Sequence, residues 1–150
     1  MLTDAQIARY GRQILLPEVG GRGQERLLAA VVAVVGVGTA ADVAATLLAR
    51  AGIGRLVLHG PELTDVPPDG TVVGAEECDE SPGADVVVLI DTPHAWQHAG
   101  AAVVASSVLG FVAALPGRPC SGCFVAPAPA GPTRTSEPAV CWQVGSLAAA

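Results

Sequence analysis

The residues best suited to chemistry stand at the end of an apolar run, VVAVVGVGTAAD, from Val31 to Asp42. Gly36 permits a tight turn directly after a strand. Gly38 has no Cβ, so the backbone can approach a pyrophosphate, and Ala41 is small enough for a following helix to pack closely on the strand. Gly-x-Gly-x-x-Ala between a buried strand and a helix is the pattern of a turn that cradles a nucleotide phosphate. Asp42 conflicts with that chemistry: an acid in the first turn occupies, electrostatically, the place a ligand anion would take. A second constellation is Pro-Cys-Ser-Gly-Cys, where Cys120 and Cys123 have the spacing of half a tetrahedral zinc site. The alternative for this pair is two free thiols.

The elements that must position these groups can be read coarsely. Thr3 precedes a helix with Asp4 in its first turn and Ile7, Tyr10 and Ile14 on one face, stopped by Pro17. Gly20, Gly21 and Gly23 read as a flexible joint before a short helix from Gln24 to Ala29. Val31 to Val35 is a β-branched strand buried on both faces. Asp42 to Ala51 is helical, with Val43, Leu47 and Leu48 inward and Gly52 as its stop. Arg55 to His59 is a second strand, and residues 62–81 read as loop. Asp85 to Ile90 is a third strand, Thr92 to Ala102 a helix, and Val103 onward strand again, broken at Pro116. Strands alternating with helices imply an α/β fold: a doubly wound, mainly parallel Rossmann-like sheet with helices on both faces. One domain over residues 1–150, with an N-terminal arm over 1–30, accounts for the length.

Composition excludes several classes. The net charge is −6, and no basic run exists, which argues against nucleic acid. The weakly polar run from Ala99 to Leu115 is too short to span a bilayer, which takes about 20 residues. The polar N-terminus is not a signal peptide, so a cytoplasmic location is the expectation, with the cysteines as thiols or metal ligands. All eight basic residues are Arg. The chain contains neither Lys nor Asn, which removes lysine from any catalytic role.

In order along the chain, RYGRQILLPEVGGRGQERL, VVAVVGVG, ARAGIGRLVL, PGRPCSGCFVAPAP and VGSLAA resemble the ThiF/MoeB/HesA family, bacterial relatives of ubiquitin-activating enzymes. The resemblance covers Leu2 to Val57 and Pro116 to Ala150, with a poorly matched middle. It implies ATP-dependent adenylation of the C-terminal glycine carboxylate of a small ubiquitin-like or sulfur-carrier protein. It also implies a dimer and a zinc held by two CxxC pairs.

Carried across one residue at a time, the family's site is incomplete. Gly36 and Gly38 match its glycine loop, while Thr39 and Ala41 replace glycines and Asp42 replaces a small hydroxyl residue. The ribose-binding Asp aligns with Gly60, leaving Glu62 as the nearest acid. Asp91 matches a magnesium-side Asp, although a one-residue shift would place Thr92 there. The family's Asn-x-x-Arg-Gln segment and Lys have no counterpart, so the positive charge that adenylyl chemistry needs is largely missing. The family's cysteine after the crossover maps to Ser136, with Cys141 nearby and read as buried. The family's N-terminal arm carries an Arg, matching Arg12, into the neighbouring subunit's ATP site.

The resulting expectation is a family member with a degenerate ATP and magnesium site, acting as a non-catalytic partner. It would form a homo- or heterodimer whose surface includes Ile7, Tyr10, Ile14 and the first crossover helix. The alternative is pairing of Arg12 with Glu18 within the chain. Two further functional readings stay open: an active adenylyltransferase for a small carrier protein, and an unrelated Rossmann dinucleotide-binding domain.

Overall fold

The computed structural model describes residues 1–60, 71–74, 83–91, 101–106 and 111–115. Among the described residues, three helices and six strands follow one another as α1 (Asp4–Ile14), α2 (Gly20–Ala29), β1 (Val31–Gly36), α3 (Thr39–Ala51), β2 (Arg55–His59), β3 (Thr71–Gly74), β4 (Val86–Ile90), β5 (Ala101–Ser106) and β6 (Phe111–Leu115). They build one sheet in the order β3-β2-β1-β4-β5-β6. All neighbours are parallel except β5 and β6. The strand order reverses at β1, between β2 and β4, and in such sheets the ligand crevice lies at the carboxyl ends of the strands flanking that point.

β1 lies at the centre because its residues bury on both faces. Val32 and Val34 join Leu56, Leu58, Val88 and Ile90 against α3, which contributes Ala40, Ala41, Ala44, Ala45 and Leu48. Ala33 and Val35 pack with Val87, Leu89 and Val104 on the opposite face. The side chains of that second face are buried, with Val57 and Ala84 packed against them. The alanines of α3 favour helix intrinsically and let it lie close to the strands. Gly52, at φ +89°, ends it in a left-handed cap.

The N-terminal arm folds back on its own domain. Thr3 caps α1 reciprocally: its Oγ1 accepts from Gln6 N at 3.2 Å, and Gln6 Oε1 accepts from Thr3 N at 2.9 Å. Tyr10 is 2% exposed. A Cβ at Gly52 would stand 2.8 Å from the Tyr10 ring, so the ring lies directly over the end of α3. α2 joins the sheet through Gly54 N donating to Leu27 O at 3.0 Å and Arg55 N donating to Ala30 O at 3.1 Å.

Several expectations need correction. The glycine-rich segment is not a joint: Gly20, Gly21 and Gly23 are the first turn of α2, with Gly23 N donating to Val19 O at 2.9 Å. Tertiary docking overrides the low helix propensity of glycine. α3 begins at Thr39, three residues earlier than expected. The stretch read as loop contains β3, which pairs with β2 from Arg55↔Thr71 to Leu58↔Gly74. A short β-branched run gains its strand character from that neighbour. Ala101 and Ala102 belong to β5, not to a helix; the rest of the expected helix lies outside the described residues. Tyr10 is interior to the chain and therefore unavailable to a dimer surface. The apolar residues of α3 are likewise already in the core.

Candidate functional site

The crevice forms where β1, β2 and β4 end together. Register pairs Val35 with His59 on one side of β1 and Gly36 with Ile90 on the other. Gly36 has φ +154°, and a Cβ built there would fall 2.1 Å from the Ile90 carbonyl oxygen, so only glycine lets the turn leave the sheet at this level. Gly38, the residue before α3, has φ +87°, and nothing lies within 4 Å of where its Cβ would be. The second glycine thus faces open space, as a backbone that admits an anion must. Thr39 is exposed, and Ala41 is fully buried against β1, the packing role its size implied.

Asp42 sits half-buried in the first turn of α3, and its backbone N donates to Gly38 O at 3.1 Å. Its carboxylate places negative charge at the end of the helix whose dipole would otherwise attract a phosphate. Asp91 directly follows β4 with φ +49°, an uncommon backbone state for a non-glycine residue. Its N donates to Ala105 O at 3.1 Å. The structure therefore brings Asp91 to the same sheet edge as Gly36, Gly38, Thr39 and Ala41. His59 ends β2, half-buried, and burial lowers its pKa below the usual histidine value.

Gly60 is the feature the sequence did not disclose. There it is merely an acid lost; in the structure it has φ +103°, and a Cβ there would lie 2.1 Å from Gly36 O and 3.1 Å from Val37 Cγ1. The only signal in the sequence is a Gly-Pro pair closing a strand. Glu62, Cys120 and Cys123 lie outside the described residues, as do Thr92, Ser136 and Cys141. Among the described residues no group of three or more His, Cys, Asp or Glu side chains could hold a metal.

Arg12 is exposed near the end of α1, and no ion pair with Glu18 forms among the described residues. Tyr10 lies over Gly52, at the opposite end of α3 from Gly38, and a helix of this length spans about 20 Å. Arg12 therefore starts from the far end of α3 relative to its own crevice.

Among the described residues, the turn at Gly38 has room for a phosphate, Asp42 places an acid beside it, and Gly60 offers no carboxylate to a ribose.

Residues 10–62 match the ThiF family. A 63-residue stretch is 51% identical to the vegetative HesA protein of Trichormus variabilis, covering 41% of this chain and 24% of that protein. A 57-residue stretch is 56% identical to the adenylyltransferase and sulfurtransferase MOCS3 of Mus musculus, covering 38% of this chain and 12% of that protein. The matched stretches thus span a quarter or less of these relatives. Among solved structures, E. coli MccB aligns over 94% of this chain and 60% of its own, with TM-score 0.62 and 17% identity. The E. coli tRNA N6-threonylcarbamoyladenosine dehydratase TcdA aligns over 63% of this chain and 54% of its own, with TM-score 0.53 and 21% identity. Those structures share the fold, and residues 10–62 of this chain match the ThiF family.

Proposed function

We propose that this chain is a ThiF/MoeB-type subunit whose own crevice does not support adenylation, and that it serves as the non-catalytic half of a dimer with a complete family member. The partner would be the enzyme that activates a small ubiquitin-like or sulfur-carrier protein. Asp42 carries the first half of this reading. A half-buried acid in the first turn of α3 opposes the polyphosphate that adenylation requires. The chain has no Lys to supply the positive charge that a polyphosphate would need beside that acid.

Arg12 carries the second half. It is exposed, on a helix whose Tyr10 packs at the end of α3 remote from the crevice, and Ile7, Leu15 and Leu16 of the same arm expose 48%, 83% and 50% of their surface. A guanidinium suits transfer into a partner's nucleotide site because its planar fork binds phosphate oxygens bidentately and keeps its charge. A cytoplasmic location belongs to the same reading. Among the described residues no helix is long and apolar enough to cross a membrane.

The test has two arms. The chain alone, with magnesium, ATP and a carrier protein ending in Gly-Gly, should give no pyrophosphate exchange above background; exchange would establish an active adenylyltransferase instead. The chain mixed with a complete ThiF/MoeB-type enzyme should associate and raise its adenylation rate. Arg12→Ala should abolish that rise. A partner rate indifferent to Arg12→Ala overturns the silent-subunit reading.

A further inference from the structure

The misfit with ATP lies in the backbone as well as in the side chains. β1 ends in a residue held from both sides at one level. On one side the Ile90 carbonyl oxygen stands 2.1 Å from where a Gly36 Cβ would be, and on the other the Gly36 carbonyl oxygen stands 2.1 Å from where a Gly60 Cβ would be. Gly36 cannot move away from Gly60 without pressing on β4. Gly60 itself is at φ +103°, which L side chains rarely adopt, and Pro61 restricts it further.

We infer that Gly60 is the specificity-determining position of this crevice: its backbone is seated against Gly36 so closely that no side chain, and hence no ribose-reading carboxylate, can project from position 60, directly after β2. This rests on the reading of the crevice as a nucleotide-type site that does not adenylate, and it deepens that reading. The defect is not repaired by restoring one acid. A carboxylate at position 60 forces either the β1 end against β4 or the β2 end away from β1. Both movements disturb the sheet where the glycine turn begins.

The experiment is thermal unfolding of the full chain, with and without magnesium-ATP, for the wild type, Gly60→Ala, Gly60→Asp and Val37→Ala/Gly60→Ala. Gly60→Ala should lower the midpoint by at least about 4 °C. Gly60→Asp should lower it at least as far and gain no ATP-dependent rise. Val37→Ala should not restore the midpoint of Gly60→Ala, because the 2.1 Å contact is with the Gly36 backbone rather than the Val37 side chain. A wild-type midpoint for Gly60→Ala, a rescue by Val37→Ala, or an ATP-dependent rise in Gly60→Asp overturns the inference. Should Gly60→Asp not fold, Gly60→Ala and the double variant decide the matter alone. An ATP-dependent rise in the wild type would instead strike at the non-adenylating reading, leaving the Gly60 comparison to be judged on its own midpoints.

Discussion

Gln24 Nε2 donates to the carbonyl oxygen of Ala51 at 3.0 Å, tying α2 to the last turn of α3. Gln24 is fully buried, and a Cβ at Gly52 would come within 2.6 Å of its Nε2 and 2.8 Å of the Tyr10 ring. The Gln24 side chain and the Tyr10 ring packed over Gly52 thus both hold the arm to the end of α3. The bond satisfies a terminal carbonyl that the helix cannot satisfy itself.

Gln24 Oε1, by contrast, is buried with no hydrogen-bond partner among the described residues. Gln24→Ala loses the bond and leaves a void, a cost of about 2–4 kcal/mol. Gln24→Met loses the same bond but keeps the volume and removes the unpartnered oxygen, so its cost should be about 1 kcal/mol. Urea unfolding of both variants checks the order; equal losses would show that packing contributes nothing beyond the hydrogen bond.

The two glycines of the turn should differ sharply. Gly36→Ala sets a methyl group 2.1 Å from the Ile90 carbonyl oxygen, and β1 and β4 must separate to admit it. Gly38→Ala meets no atom and incurs only the cost of a positive-φ, extended-ψ backbone that favours glycine, about 1–3 kcal/mol. Thermal unfolding should place Gly36→Ala well below Gly38→Ala, with Gly38→Ala still cooperatively folded. Comparable losses would mean that the strand end yields more readily than its double contact implies.

What the sequence disclosed and what it withheld follow one physical division. β1 and α3 were legible because their burial is written into side-chain type: a β-branched run, then alanines at helical spacing, then a capping glycine. Tyr10 was legible as part of an apolar helix face that must be covered, but not as covered by its own chain, because periodicity names a face without naming its partner. The first turn of α2 and strand β3 were not legible. In both, local propensity points away from the structure adopted, and a neighbouring element supplies the missing stability. Gly60 was the hardest of these. A glycine in place of an acid reads as a subtraction, whereas the contact with Gly36 is a long-range backbone approach that no local pattern encodes.

Asp42→Ser separates charge from shape at the start of α3. The acid stabilises the helix through its dipole by about 0.3–1 kcal/mol, so the serine variant should unfold slightly more easily without ligand. It should also bind pyrophosphate more tightly than the wild type, read as a larger ligand-dependent rise in the unfolding midpoint. Lost stability with no gain in binding would show that the carboxylate is not what keeps the anion out.

His59 gives the fold a pH dependence whose sign can be worked out. Burial penalises the imidazolium, so the folded-state pKa lies below the unfolded value near 6.5. Between those two values the unfolded chain binds more protons than the folded one, and stability rises with pH there. The contribution of neutral His59 is fully present above about pH 6.5. It falls as the pH drops from there toward the lower folded-state value and levels off beneath it. His59→Gln keeps a polar side chain at the end of β2 but removes the titration. Urea midpoints from pH 7.5 to pH 5 should therefore decline less steeply for His59→Gln than for the wild type, with the two curves converging at their acid ends only if other groups compensate. Parallel curves across the whole range would mean that His59 reaches solvent freely and that the end of β2 is more open than its seating beside Gly36 requires.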